Sequence, residues 1–89
     1  MNQIERIVRM EEALDAVLAA NRALEAAQAA FRAAEGQAAA LDAYYGSPEW
    51  LRDLADDEAG RLPADLKRGV LSQDGIWNAL ADRRELAGE

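Results

Sequence analysis

Side chains capable of chemistry are few in this sequence. The 89 residues include no cysteine and no histidine. This composition excludes disulfide scaffolds, zinc fingers, thiol catalysis and Ser-His-Asp nucleophiles, and with them most enzyme classes. The candidate reactive groups are a run of carboxylates, the basic pair between the predicted helices and two serines: Asp53, Asp56, Asp57 and Glu58; Lys67 and Arg68; Ser47 and Ser72.

The spacing of the carboxylates does not fit a metal site. A calcium-binding loop needs oxygen ligands at alternate positions, a glycine at the sixth position and a glutamate at the twelfth. No frame through residues 53–58 supplies all of these. We therefore interpret the run as a solvated helix end, and we predict no catalytic residue, metal or cofactor.

The serines and the basic pair also have structural interpretations. Ser47 and Ser72 each precede a predicted helix, which is where a side-chain oxygen caps free backbone N–H groups. The pair Lys67-Arg68 lies between Asp65 and Asp74 in the sequence. It indicates a local charge network, with a small anion contact as the alternative.

A long helix is predicted to precede these groups. Residues 1–45 contain no proline and one glycine, Gly36. Apolar residues recur there at alternating steps of three and four, the coiled-coil spacing, and we call this row the seam. The seam consists of Met10, Ala13, Val17, Ala20, Leu24, Ala27, Phe31, Ala34, Ala38, Leu41 and Tyr45. We expect one continuous helix over residues 3–45, with any bend at Gly36.

Short helices are predicted in the rest of the chain. Ser47, followed by Pro48, begins a helix that ends near Asp56, and residues 62–69 form one helical turn or an ordered loop. A last helix covers about 73–87. The predicted fold is all-α: a single domain over residues 1–89, with a long alanine-rich helix at 1–45 and a short-helix cap at 46–89. The two or three short helices fold back on the carboxy-terminal end of the long one.

The seam is too long for the short helices to cover. It extends over about 53 Å, whereas a final helix of some 15 residues covers about 22 Å. The sequence therefore predicts a homo-oligomer, and the alternation of large residues with alanine favours an antiparallel dimer. The predicted oligomer seam comprises Met10, Val17, Ala20, Leu24, Ala27, Phe31 and Ala34.

Aromatic residues mark the second half of the chain. Tyr44, Tyr45, Trp50 and Trp77 favour a small core in which both tryptophans clamp the short helices onto the long helix. The alternative is that one or two rings stay exposed as binding anchors. The candidate partner surface consists of Tyr44, Tyr45, Trp50, Asp53, Lys67, Arg68 and Trp77.

Net charge limits the classes of partner. The formal charge of −7 repels phosphate backbones and anionic lipids, so we expect no direct binding to nucleic acid or membrane. We predict a cytoplasmic, non-enzymatic helical interaction or scaffold protein. The alternatives are an acidic inhibitor or nucleic-acid mimic that occupies a basic cleft, and an enzyme or small-ligand protein that uses the carboxylates with Lys67 and Arg68.

One segment resembles a known family. The motif YYGS-x-x-W, then DDEAG and LPADLKRGVLS-x-D followed by an aromatic residue, occupies residues 44–78. In these motifs the sequence is similar to an uncharacterised bacterial family of short proteins classed as a domain of unknown function. The long amino-terminal helix matches that family in character alone. The resemblance implies a small cytosolic bacterial protein, and it assigns no activity, substrate or catalytic residue.

Overall fold

The computed structural model describes residues 2–89, and the prediction for Met1 lies outside the described residues. The described residues contain helices and no strand, which confirms the all-α prediction. The four α-helices are α1 (Gln3–Ala33), α2 (Glu35–Tyr44), α3 (Pro48–Glu58) and α4 (Gly75–Leu86), and a 3-10 helix covers Gly69–Leu71. The chain divides into two compact units, one up to Glu35 and one from Gly36 to Glu89.

Helix α1 is capped at its amino end and exposed along its length. The Asn2 side chain accepts a hydrogen bond from the backbone N–H of Glu5 at 2.8 Å, which satisfies one of the free donors of the first turn. Alanine, the residue with the highest helix propensity, is frequent in the rest of the helix. None of the residues Gln3–Ala33 is buried.

The long helix predicted over 3–45 is confirmed over residues 3–44 apart from Ala34, which lies between α1 and α2, two residues before the expected bend at Gly36. Ala34 has a ψ of −1°, whereas an α-helix needs about −42°, so the next peptide turns out of the helical pattern. The Ala34 N–H still bonds to the carbonyl of Ala30 at 3.2 Å. Gly36 lies inside α2, so the glycine itself adopts helical structure.

Helix α3 begins as predicted and ends later. Gly46, with a φ of 78°, follows α2 in the left-handed region that favours glycine. The Ser47 hydroxyl then accepts a hydrogen bond from the Trp50 N–H at 3.1 Å, and Pro48 occupies the first helical position. The helix extends to Glu58, two residues past the predicted end at Asp56.

The core of Gly36–Glu89 is small. Leu71 and Ile76, at 9% and 3% exposure, are the buried side chains among the residues that the structure describes. Leu71 belongs to the 3-10 helix, which contacts both α3 and α4. Ile76 lies in the first turn of α4. The 3-10 helix is therefore the element that joins the two short α-helices.

A serine connects the 3-10 helix to α4. The Ser72 hydroxyl donates to the Gly69 carbonyl at 2.8 Å and accepts from the Gly75 N–H at 3.1 Å. This capping role was predicted. Because the serine reaches back to Gly69, the chain bends through residues 72–74, and α4 covers 75–86 instead of 73–87.

Candidate interaction surfaces

The amino-terminal part of the seam is the larger candidate surface. Its side chains Met10, Val17 and Leu24 are 57%, 56% and 60% exposed. The alanines between them, Ala13, Ala20 and Ala27, are exposed as well. We call these six residues the exposed seam. A row of this length whose large members are more than half exposed lacks the burial that normally stabilises an amphipathic helix.

The end of the predicted oligomer seam has a different environment. Phe31 and Ala34 are half-buried, in contrast to the exposed seam before them. Further apolar side chains on α1 are exposed and widen its apolar surface: Ile4, Ile7, Val8, Leu14 and Leu18. The apolar surface of α1 is thus concentrated between its amino end and Ala27.

Two residues of the predicted partner surface are hydrogen-bonded to each other. The Tyr44 hydroxyl, at the end of α2, donates to a carboxylate oxygen of Asp53 on α3 at 2.5 Å. This bond, with additional effects of burial and of the Asp53 charge, raises the pKa of Tyr44 to about 12. Both side chains are half-buried. The pair joins two helices across the Gly46 turn, which is a structural role.

Trp50 also connects separate parts of the chain. Its indole N–H donates to the carbonyl of Val70 at 2.9 Å, across twenty residues of sequence. Its ring centroid lies 5.0 Å from that of Tyr45, with the planes tilted by 58°. Aromatic pairs at this separation and tilt attract each other beyond the area that they bury. Trp50 therefore joins α3 to the 3-10 helix and to Tyr45, the residue after α2, whereas the sequence predicted a clamp of the short helices onto the long helix.

The basic pair divides into one bound and one exposed residue. The Arg68 Nε lies 2.8 Å from a carboxylate oxygen of Asp57, and the guanidinium also donates to the Pro63 carbonyl. The predicted charge network therefore exists, but the partner of Arg68 is Asp57, and neither Asp65 nor Asp74 takes that role. The reason is that the loop after α3 returns to the end of that helix.

The acidic run is less solvated than predicted. Asp57 is half-buried against Arg68, and Asp56 is half-buried with its carboxylate 2.9 Å from the Arg61 guanidinium. Among the residues that the structure describes, no three metal-ligating side chains are grouped to hold a metal ion. The carboxylates here stabilise the loop after α3, because each compensates a nearby arginine charge.

Lys67 borders an open apolar groove within Gly36–Glu89. The groove has a volume of about 340 Å³ and lies between Leu41 of α2, Val70 of the 3-10 helix, and Ile76 and Ala79 of α4. Lys67 is exposed and supplies the one charged side chain of this lining. The groove can therefore provide apolar contacts and one positive charge to a ligand.

Trp77 is not part of the core. Its side chain is 57% exposed on α4, although it directly follows the buried Ile76. Residues adjacent in a helix point about 100° apart, so the burial of Ile76 does not require the burial of Trp77. The prediction that both tryptophans act as clamps is wrong for Trp77. The structure brings together Tyr44 with Asp53 and Tyr45 with Trp50, and leaves Trp77 exposed.

Two contributors to this region were missed from the sequence. The Val70 carbonyl receives the Trp50 indole, and a backbone acceptor leaves no mark in the residue types. Asp57 was interpreted as part of a solvated helix end, and its pairing with Arg68 depends on the path of the loop between them, which the residue types do not indicate. None of the helices among residues 2–89 is long and apolar enough to cross a membrane.

Comparison with known proteins gives one match. The family model described as Domain of unknown function (DUF4298) matches residues 7–89. The chain therefore belongs to this family, and the match includes most of α1 as well as the motif-bearing segment. Searches of curated proteins and of solved structures gave no significant match.

Proposed function

We propose that this member of the DUF4298 family is a non-enzymatic helical interaction protein that self-associates through α1. The observation that carries the proposal is the exposed seam. Apolar side chains such as Leu24 gain about 1 kcal/mol or more each when burial removes their remaining exposed area from water. A second copy of the same helix supplies a matching apolar surface.

The segment 46–89 is proposed as a structural cap that also presents a partner surface. Trp77 supports this role, because it is an exposed tryptophan, the residue type most enriched in interface hot spots. Lys67 adds a cation beside the apolar groove. Tyr44, Asp53 and Arg68 have partners within the chain, so they support the fold of this surface more than its binding.

The acidic-inhibitor alternative has weaker support. A mimic of nucleic acid needs carboxylates that are free to meet a basic cleft. Asp53, Asp56 and Asp57 each interact with a neighbouring side chain. Binding to a basic partner that weakens steeply as salt increases would favour this alternative over the interaction role.

A bacterial source and a cytoplasmic location are part of the proposal. Their support is the likeness of residues 44–78 to the signature of a bacterial family, YYGS-x-x-W through LPADLKRGVLS-x-D. Fractionation of cells that express the full chain tests the location, and recovery in the membrane or extracellular fraction would contradict it.

Sedimentation equilibrium over a concentration series tests self-association. The wild-type chain should form dimers or larger species at micromolar concentration. Leu24→Asp places a carboxylate in the seam, where an unpaired buried charge costs several kcal/mol, so the dissociation constant should rise at least about 100-fold. Ala29→Asp is the matched control, since residue 29 lies on the opposite side of α1. A wild-type chain that stays monomeric at high micromolar concentration contradicts the proposal.

A further inference from the structure

Charge is segregated around α1. Between Met10 and Ala34 the rows that flank the seam carry Leu14, Asn21 and Gln28 on one side and Ala16, Ala23 and Ala30 on the other. The charged residues of this span all lie outside these rows and the seam: Glu11, Glu12, Asp15, Arg22, Glu25 and Arg32. The helix therefore has an uncharged strip four rows wide, which is the width that faces a partner in a two-helix contact.

Side-chain size within the strip distinguishes the two orientations of a second copy. Large seam residues such as Val17 and Leu24 alternate with alanine. In a parallel pair each residue faces its own equivalent, so layers of two large side chains alternate with layers of two alanines. The preferred helix separation differs between such layers, within a range of about 8–10 Å, and rigid helices cannot satisfy both. In an antiparallel pair each layer holds one large residue and one alanine, so the separation is even.

Symmetry of the seam then selects the register. When the second copy runs in the opposite direction and both copies are centred on residue 22, each large seam residue between Met10 and Ala34 faces an alanine of the other copy. In this register Val17 packs against Ala27 of the second copy, and Leu24 packs against Ala20 of the second copy. A shift of one heptad toward the amino end brings Arg6 into the seam, where its charge would be desolvated.

We propose that two copies of α1 pair antiparallel about residue 22, with the uncharged strip as their interface. This inference rests on the proposed self-association, and it adds a register, an interface and a test to the antiparallel orientation that the sequence favours. The contact extends over about 36 Å, and two helices packed over that length bury on the order of 1,000 Å², which reaches the size of specific interfaces. The alanines at 16, 23 and 30 allow the backbones to approach closely on one side.

The orientation has a functional consequence. The two copies of Ala33, the last residue of α1, are separated by about 33 Å along the helix axes. The segment 36–89 of each copy therefore leaves from an opposite end of the pair. Such an assembly is a bivalent connector that can engage two partner sites at a fixed spacing, with the gain in avidity that linkage provides.

Cysteine cross-linking tests orientation and register, because the native chain has no cysteine. Val17→Cys and Ala27→Cys are oxidised separately and as a mixture, and masses of the products are measured. We expect a disulfide between the two different variants in the mixture and almost none in either variant alone, because like positions lie about 15 Å apart along the axis. Each variant is first checked by sedimentation for self-association.

Other cross-linking patterns overturn the inference. Efficient disulfides within each variant alone indicate a parallel pair, and a dimer without any of these disulfides excludes the register. In both cases self-association itself still stands. A monomer in sedimentation instead removes the proposed function on which the inference rests.

A spin label on Ala33→Cys gives an independent measurement at a position outside the strip. The antiparallel pair predicts a label separation of at least about 30 Å, and a parallel pair predicts less than about 20 Å. A short distance in a chain that sediments as a dimer contradicts the antiparallel arrangement.

Discussion

Helix α1 and the segment Gly36–Glu89 are stabilised in different ways. Helix α1 depends on local structure: a capping asparagine, a high alanine content and intrahelical hydrogen bonds, with no buried side chain from Gln3 to Ala33. The segment Gly36–Glu89 has fewer helical residues in a row, yet its side chains bond to groups up to twenty residues away, as Trp50 does to Val70. Helix α1 therefore leaves its apolar side chains exposed, which is the basis for proposing a partner, whereas the second unit supplies its own contacts.

Hydrogen exchange at two protein concentrations tests this comparison most directly. An isolated helix is marginal in water even when it is alanine-rich, because packing normally contributes most of its stability. Amides of α1 should gain about 100-fold in protection between nanomolar and high micromolar concentration. Amides of Leu71 and Ile76 should change little, since their burial is within one chain. Equal concentration dependence in both regions would contradict the distinction.

Gly75→Ala should cause the largest loss of stability in the second unit. A Cβ at this position would lie 2.3 Å from the Gly69 carbonyl oxygen and 2.6 Å from the Ser72 hydroxyl. The chain must shift there and weaken the serine bridge, which should lower the free energy of unfolding by about 2–4 kcal/mol. Urea unfolding followed by tryptophan fluorescence measures the change.

Gly36→Ala is the matched control. No atom lies within 4 Å of a Cβ at Gly36, which has a helical backbone, so alanine should stabilise α2 by about 0.5–1 kcal/mol. Equal effects of the two substitutions would show that the approach of Gly75 to Gly69 does not limit the packing.

The two tryptophans provide a second, smaller contrast. Trp50→Ala removes the Tyr45 contact and leaves the Val70 carbonyl without its donor, so the unfolding free energy should fall by about 2 kcal/mol, or roughly 10 °C in Tm for a domain of this size. Trp77→Ala removes a ring that is 57% exposed and should cost less than about 1 kcal/mol. Thermal unfolding followed by circular dichroism compares the two variants. A larger loss of stability in Trp77→Ala than in Trp50→Ala would indicate that Trp77 belongs to the core.

Sequence patterns predicted the helices well because helix signals are local. The caps at Ser47 and Ser72, the proline at the start of α3 and the glycine after α2 each act within a few residues, and all were placed from the sequence. The bend expected at Gly36 was placed two residues too late, since nothing in an alanine indicates that the ψ of Ala34 will leave the helical range.

Contacts between distant residues were predicted less well. The seven residues of the candidate partner surface were grouped by type and position, but the sequence does not specify which of them face inward. Trp77 and the buried Ile76 are neighbours in the chain, and the rotation of α4 about its own axis, which the sequence does not specify, decides which one is exposed. Arg68 was paired with the aspartates nearest in sequence, whereas the returning loop brings it to Asp57.

The smallest effect concerns the hydrogen bond between Tyr44 and Asp53, which tests whether the second unit holds α2 through side-chain contacts. Tyr44→Phe removes the phenol hydroxyl from Asp53 and should lower the unfolding free energy by about 1 kcal/mol at neutral pH, a value reduced by the partial exposure of the pair. The pKa of Tyr44 in the folded wild-type chain, about 12, lies above the ordinary value of 10.0, so the protonated phenol favours the folded state. The stabilisation is therefore complete below pH 10 and is lost as the pH rises from 10 through about 12.

Urea unfolding of the wild-type chain and of Tyr44→Phe at several pH values measures this dependence. The difference in unfolding free energy between the two chains should be constant up to pH 10 and should shrink above it. A difference that grows with pH would disprove the assigned bond.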